Sequence, residues 1–354
     1  MASRARSRRR LKSSTSRLTV QRYDIRTITS RPGLTPIAAP TWRLVQEKKM
    51  SQKVGLRLPR LRLPAAGVVA VLTAVMSGAQ PVAGAPGDVI ADIVVPEVYV
   101  NGSYGIAKAV AYDGHNLYYA EFGGSTLHRI DMPPPGGPNE VTGHTDIPII
   151  GAIGGIMTIA YDVGRDKFWA VSADGTVIYL IDKMGLALRQ FAIDQSTLPG
   201  TCRQTSCSPE VKIAYDRTDD TLWYSPDTTR RVYHFQTTGD LLDDAVPVAA
   251  NPYFDVDVPP NDMNAYCPVG SWASGIATGG SSIFIEVSAC DYYFEYSKTG
   301  ALLGAIPRAF ATSGGLTCDD RTYPVSVIWM REGWNGHIYA IEQPRAGACV
   351  YGGG

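Results

Sequence analysis

Acidic residues are nearly missing from the first part of this 354-residue chain. Residues 1–85 hold Asp24 and Glu47 as their only carboxylate side chains, against 17 Lys and Arg. The formal net charge of zero therefore averages two unlike parts, because residues 86–354 carry 31 acidic and 16 basic side chains. A surplus of negative charge on that scale argues against nucleic acid and anionic membrane surfaces as partners of the second part.

Long hydrophobic runs are also lacking around the boundary. The apolar stretch Ala65–Met76 is about a dozen residues, short of the ~20 that a membrane-spanning helix needs. It follows Lys53, Arg57, Arg60 and Arg62 and precedes the small-x-small triplet Ala83-Gly84-Ala85. This order predicts a secretory signal peptide over 50–85, with Met50 as the start; an uncleaved anchor is the alternative. Residues 1–49 have no apolar periodicity and read as a disordered or spurious basic extension, or else as a basic arm. The twin-Arg look of Ser7-Arg8-Arg9 lies too far from the apolar run to serve it. The expected mature protein is 86–354, secreted, monomeric, one domain, without a stable membrane anchor after cleavage.

Histidine is scarce. His115, His128, His144, His234 and His337 are scattered, and none stands in an HExxH or similar ligand spacing. Phosphate-loop and EF-hand patterns are missing as well, and "GSWASG" at Gly270–Gly275 is not a nucleophile elbow. These absences leave no ready catalytic motif. All six cysteines fall in 86–354, and an even count behind a secretory signal predicts disulfides.

What the chain does have is a repeat. "VKIAYDRTDDTLWYSPDTTRRVYHFQTTG" (211–239) has counterparts beginning at Gly105, Gly155, Ala273 and Val325. Each copy holds three β-rich runs of five to seven residues between Gly, Asp, Asn and Ser turns, and a fourth run usually follows. The turn residues after the first runs are read as Asp113, Asp162, Asp216, Gly279 and Glu332. Four antiparallel strands in a unit of about fifty residues predict a blade, and five units predict an all-β, five-bladed β-propeller. A β-sandwich, the competing all-β fold, has no reason to repeat one four-strand unit. The lone run "DVIADIVV" from Asp88 is placed as the strand that completes the last blade and removes the open sheet edge.

The frame "IAYD…LWY…VYHF…TG" at Ile213–Gly239 and the phrase "NLYYAE" at Asn116–Glu121 resemble the propeller repeats of the NHL, streptogramin-lyase and gluconolactonase families. The resemblance implies the fold. It places none of those families' metal or catalytic residues on this chain.

Long four-to-one loops mark one face as the working face. Aromatic contacts from Trp272, Tyr253, Tyr266 and Tyr323 would suit an extracellular glycan or protein ligand there. The "AYD" aspartates read as hairpin-turn residues. The loop Asp255–Asn264 lacks EF-hand spacing and its Gly and reads as a solvated acidic loop without a metal; the alternative is that Asp255, Asp257 and Asp262 offer oxygen ligands to a structural calcium ion. Repeat equivalence predicts the disulfides Cys267–Cys290 and Cys318–Cys349, which leaves Cys202–Cys207 as a local pair. Aligning second strands puts Glu121 and Glu342 at one register position in neighbouring blades, as a candidate acid/base pair or cation site. The primary functional expectation is a secreted binding module; the alternative is a polysaccharide-acting hydrolase or lyase using carboxylates at the channel mouth.

Overall fold

The computed structural model describes residues 85–351 except 98, 101–102, 105–106, 137–138, 194–209, 227–230, 239–245, 259–262, 268–272, 288–289, 309–313, 333–335, 344 and 346. The expectations for residues 1–84 and those for Cys202, Cys207, Asp262 and Trp272 fall outside the described residues.

Strand β1 (Val89–Val94) comes first and is followed by a small hairpin, β2 (Tyr99–Val100) and β3 (Ser103–Tyr104). Blade one is β4 (Ala107–Tyr112), β5 (Asn116–Glu121), β6 (Thr126–Asp131) and β7 (Thr145–Pro148). Blade two is β8 (Ile156–Asp162), β9 (Lys167–Ser172), β10 (Val177–Asp182) and β11 (Ala187–Ala192). Blade three is β12 (Val211–Asp216), β13 (Thr221–Pro226), β14 (Arg231–Gln236) and β15 (Tyr253–Asp255). Blade four is β16 (Ala273–Gly279), β17 (Ser282–Val287), β18 (Tyr292–Ser297) and β19 (Leu302–Pro307). Blade five is β20 (Leu316–Asp319), β21 (Val327–Arg331) and β22 (His337–Glu342), with β1 as its outermost strand. The first strands of successive blades pack side by side, and β20 returns to β4. The protein is thus a five-bladed β-propeller closed by its N-terminal strand.

Burial follows from this layering. Strands β8, β12, β13 and β17 are buried along their whole length, because a neighbouring blade covers each face. Outer strands such as β11 and β19 keep exposed positions, because they form the rim. The first strands converge on a narrow axial cavity of about 30 Å³ lined by Tyr112, Tyr161, Tyr215 and Thr278 among others, room for about one water molecule.

Turn aspartates lock the register. Asp162, Asp216 and Asp319 each accept backbone N–H groups of their own turn on Oδ1 and a tryptophan indole N–H on Oδ2, from Trp169, Trp223 and Trp329 at 2.9, 3.1 and 2.9 Å. The turn role expected for Asp162 and Asp216 holds. The lock also corrects the reading of the fifth repeat. Its turn residue is Asp319, not Glu332; "VIWMR" is the second strand and "HIYAIE" the third. The inner strand "LTCD" is only four residues long and lacks the aromatic phrase of its counterparts, so it does not announce itself.

Both described disulfides join the expected partners, Cys267–Cys290 and Cys318–Cys349. The second pair is not the repeat equivalent of the first. Cys318 lies within inner strand β20, and Cys349 lies beyond β22 in the C-terminal tail. The bond pins that tail across the short-turn face, Cys349 lying against Gly279 of blade four, while Tyr351 stacks near Tyr161 of blade two, meets Tyr112 of blade one edge-on and donates to the carbonyl of Asp113 at 2.5 Å. Gly114 leaves the room for it: a Cβ there would lie 2.8 Å from the Tyr351 ring, and its φ is +91°.

Candidate metal centre at the ring seam

Blades five and one meet where the ring closes. Blade one turns Tyr119, Glu121, His128, His144 and Asp146 toward this seam. The register explains the grouping. Tyr119 pairs with His128 and His128 with Asp146 across three neighbouring strands, so the three side chains share one face. Glu121 and His144 lie two residues from Tyr119 and Asp146, in the same phase. Glu97 joins from the segment just after β1, and Arg331 reaches across from β21.

Contacts within the group are close. His128 Nε2 lies 2.9 Å from Glu121 Oε2, and its Nδ1 lies 2.8 Å from Asp146 Oδ1 and 3.7 Å from Glu97 Oε1. His144 Nε2 lies 2.9 Å from Glu97 Oε1, 3.6 Å from Asp146 Oδ1 and 3.1 Å from the Tyr119 hydroxyl. Tyr119 donates to Glu97 Oε2 at 2.6 Å and stacks on the His128 ring. The fully buried Arg331 donates to the carbonyl of Ala120 at 3.2 Å, faces Glu121 Oε1 at 3.4 Å and lies over the Tyr119 ring.

Both ring nitrogens of His128 face carboxylates, which only accept, so without a metal both nitrogens donate and the ring is an imidazolium. Burial opposes that charge, but Glu121, Asp146 and Glu97 outweigh it and hold the His128 pKa above its ordinary value. For Glu121, burial pushes the pKa up; the His128 hydrogen bond and the Arg331 charge outweigh it and leave the carboxyl below its usual range. Burial alone weighs against the Arg331 charge and lowers its pKa, with Glu121 pulling the other way.

The donor set fits a metal. One donor atom each from Glu97, His128, His144 and Asp146 lies within 4.8 Å of the other three. Tetrahedral zinc with N and O ligands at ~2.0–2.2 Å would put donors about 3.4 Å apart. The four separations given above for these donors straddle that spacing. Two imidazoles with two carboxylates favour a zinc-class ion over calcium or magnesium. Outside the four donors, His128 Nε2 on Glu121 is the carboxylate–histidine arrangement that orients a metal-bound imidazole through its second nitrogen, and Tyr119 holds the second oxygen of Glu97.

The sequence singled out Glu121 but gave it the wrong partner. Glu342 ends the third strand of blade five, not the second, so it lies at the opposite end of the blades from Glu121. It lines a cavity of about 340 Å³ with Asp320 and Ser326 instead. The register shift in blade five is the cause. The three described aromatics, Tyr253, Tyr266 and Tyr323, do not converge either. Tyr253 sits on the rim of blade three under the Arg231 guanidinium, 3.7 Å from its ring centre. Tyr266 is exposed beside Tyr292 in blade four. Tyr323 is buried against Trp329 on the short-turn side of blade five. As for the calcium loop, Arg231 already holds Asp255 Oδ1 and Oδ2 at 2.6 and 2.7 Å, and Asp257 is half-buried. The segment 132–144 joins the third and fourth strands of blade one and so is not one of the loops that lead into a first strand.

Neither protein-family models nor curated proteins match the chain. Among solved structures it is similar to glutaminyl cyclase from Myxococcus xanthus at 10% identity, covering 72% of this chain and 95% of that one, with a TM-score of 0.48. A nidogen/laminin complex gives 11% identity, 64% and 72% coverage and a TM-score of 0.39. A luciferin-regenerating enzyme gives 10% identity, 73% and 99% coverage and a TM-score of 0.39.

Proposed function

We propose that this protein is an extracellular β-propeller binding module that holds one zinc-class divalent ion at the seam between blades five and one. The carrying observation is the convergence of Glu97, His128, His144 and Asp146, with Glu121 behind His128. The two disulfides suit an oxidising, extracellular setting. With four protein donors the coordination of the ion is filled, which favours a structural or binding role over catalysis. The hydrolase or lyase reading loses its support once Glu121 and Glu342 lie at opposite ends of their blades. In this proposal the module's glycan or protein ligand is met by the loops that lead into the first strands, and the ion supports that scaffold from the side.

Metal analysis and calorimetry test the reading. Purified protein is expected to bind one Zn²⁺ per chain. The double variant His128→Ala, His144→Ala should lose binding at least a hundredfold, since two of four ligands are gone. Cobalt substitution should give the intense visible bands of a tetrahedral site. Failure of the wild-type protein to retain zinc, or equal binding by the double variant, overturns the proposal.

A further inference from the structure

We infer that an ion at this site acts as a clasp on the closed ring, tying the N-terminal closing strand to blade one; this rests on the zinc reading above. Three of the four donors, His128, His144 and Asp146, belong to blade one. The fourth, Glu97, stands three residues after β1, the strand that completes blade five. One ion bound by all four would therefore join the two ends of the ring.

Among the described strands, blade five, which borders the seam, is the one completed by pairing distant parts of the chain. Strand β1 hydrogen-bonds along one edge only, to β22, and is extended at its ends by Gly87 N–H to the Glu342 carbonyl and Val95 N–H to the Gly336 carbonyl, both at 3.0 Å. Neither described disulfide touches it: one is confined to blade four and the loop before it, the other to β20 and the tail. Every other blade takes its four strands from one continuous stretch of chain. Blade five is completed by a strand more than 200 positions away in sequence from its neighbour β22, so its last pairing closes the longest loop in the fold.

Charge points the same way. Among the described residues, Glu97, Glu121 and Asp146 crowd the seam against one fixed cation, Arg331. With neutral imidazoles, as metal binding requires, a divalent ion would offset the surplus negative charge of this group.

Hydrogen exchange on the full protein, with and without Zn²⁺, tests the clasp. If peeling of β1 requires release of the ion, zinc at ten times its Kd should slow exchange of the β1 and β22 amides about tenfold. The amides of β13 and β17 in blades three and four should change little. In Glu97→Gln, zinc held by the remaining three ligands should no longer protect β1. Zinc that binds stoichiometrically yet leaves β1 exchange unchanged overturns the clasp and leaves the zinc reading standing. Equal protection of all five blades also overturns it, because the ion would then stabilise the fold and not the seam. Absence of zinc binding removes both. The comparison of wild-type protein with and without zinc stands even where the Glu97 variant folds poorly.

Discussion

The seam between blades five and one and the interface between blades two and three use the same β-frame and opposite chemistry. At the register position of His128, the other blades carry Tyr179, Tyr233, Phe294 and Tyr339. Blade three sets Tyr224, Tyr233 and Phe235 against Val171, Ile178 and Phe191 of blade two, and the Tyr224 hydroxyl reaches the Gly175 carbonyl at 3.0 Å. The body of that interface is apolar and close-packed, and at its turn end Arg165 of blade two already holds Asp220 of blade three at 2.6 and 2.7 Å. In the outer part of the seam, two histidines, three carboxylates and a buried guanidinium occupy the equivalent ground. A propeller needs only shape-matched blade faces to stand. A polar face at one seam adds a place where proton or metal occupancy sets how tightly the ring is shut.

The largest expected effect comes from cutting each kind of interface at its centre. Arg331→Ala removes the one fixed cation that the described residues set against the carboxylate group and should cost about 3–5 kcal/mol, as for breaking a buried ion pair. Trp169→Ala, in blade two where it packs into the interface with blade three, should cost a similar ~3–5 kcal/mol through the cavity it leaves. The two should separate on titrating zinc during urea unfolding: the deficit of Arg331→Ala should change with zinc and that of Trp169→Ala should not. Parallel behaviour would erase the distinction between the interfaces.

Next in size are the disulfides. Replacing Cys318 and Cys349 with serine should lower stability by about 2–4 kcal/mol and free the C-terminal tail. Because Tyr351 packs on Tyr112 and Tyr161, the change should also expose the short-turn end of the axial cavity, read as increased proteolysis near residue 345. Retained protection of the tail would show that the ring contacts hold it without the covalent bond.

His128→Tyr sharpens the comparison, since it installs at the seam the residue found in three other blades. It should abolish zinc binding and lower metal-free stability by about 2 kcal/mol, because Glu121 and Asp146 lose a charged hydrogen-bond donor. A loss several times larger would mean that the imidazolium itself, not the metal, is what the seam is built around.

How much of this was legible in the sequence depends on how far each feature reaches along the chain. The blades were readable because apolar runs, Asp-headed turns and Leu-Trp-Tyr phrases are local. The closing role of "DVIADIVV" was readable because one strand was left over and one blade lacked a strand. Blade five went out of register because "LTCD" is short and "VIWM" imitates a first strand; only the Trp329–Asp319 bond settles it. Glu121 stood out as a charge at a strand end. His128 could have been found by aligning third strands, where "TLHRID" puts histidine against tyrosine and phenylalanine. His144 and Asp146 alternate in phase beside it. Glu97 and Arg331 carry no local mark. They reach the site only because the ring closes, which is a fact of topology rather than of spacing.

The smallest expected effect concerns a third kind of interface, between blades one and two, where charge is present but already paired within the protein. Asp113, buried at the turn of blade one, takes the Lys183 ammonium of blade two on Oδ2 at 2.9 Å and two backbone N–H groups on Oδ1. Burial pushes its pKa up; Lys183 and the N–H groups of Asn116 and His115 outweigh burial and hold it below the ordinary 3.8. A carboxyl depressed in the folded state contributes stability above its unfolded pKa, and that contribution fades as pH falls through the folded value. Wild-type stability, followed by thermal unfolding from about pH 6 to about pH 2.5, should therefore fall below roughly pH 4. Asp113→Asn should start lower and lose less over the same range. Some slope should persist in the variant, because Asp220, held down first by the Arg165 hydrogen bond, and Asp166, held down first by that of Lys183, titrate in the same direction. Since no metal donor lies in this interface, the acid slope assigned to Asp113 should be the same with zinc and with chelator. A slope that moved with zinc would place the ion's influence beyond the seam.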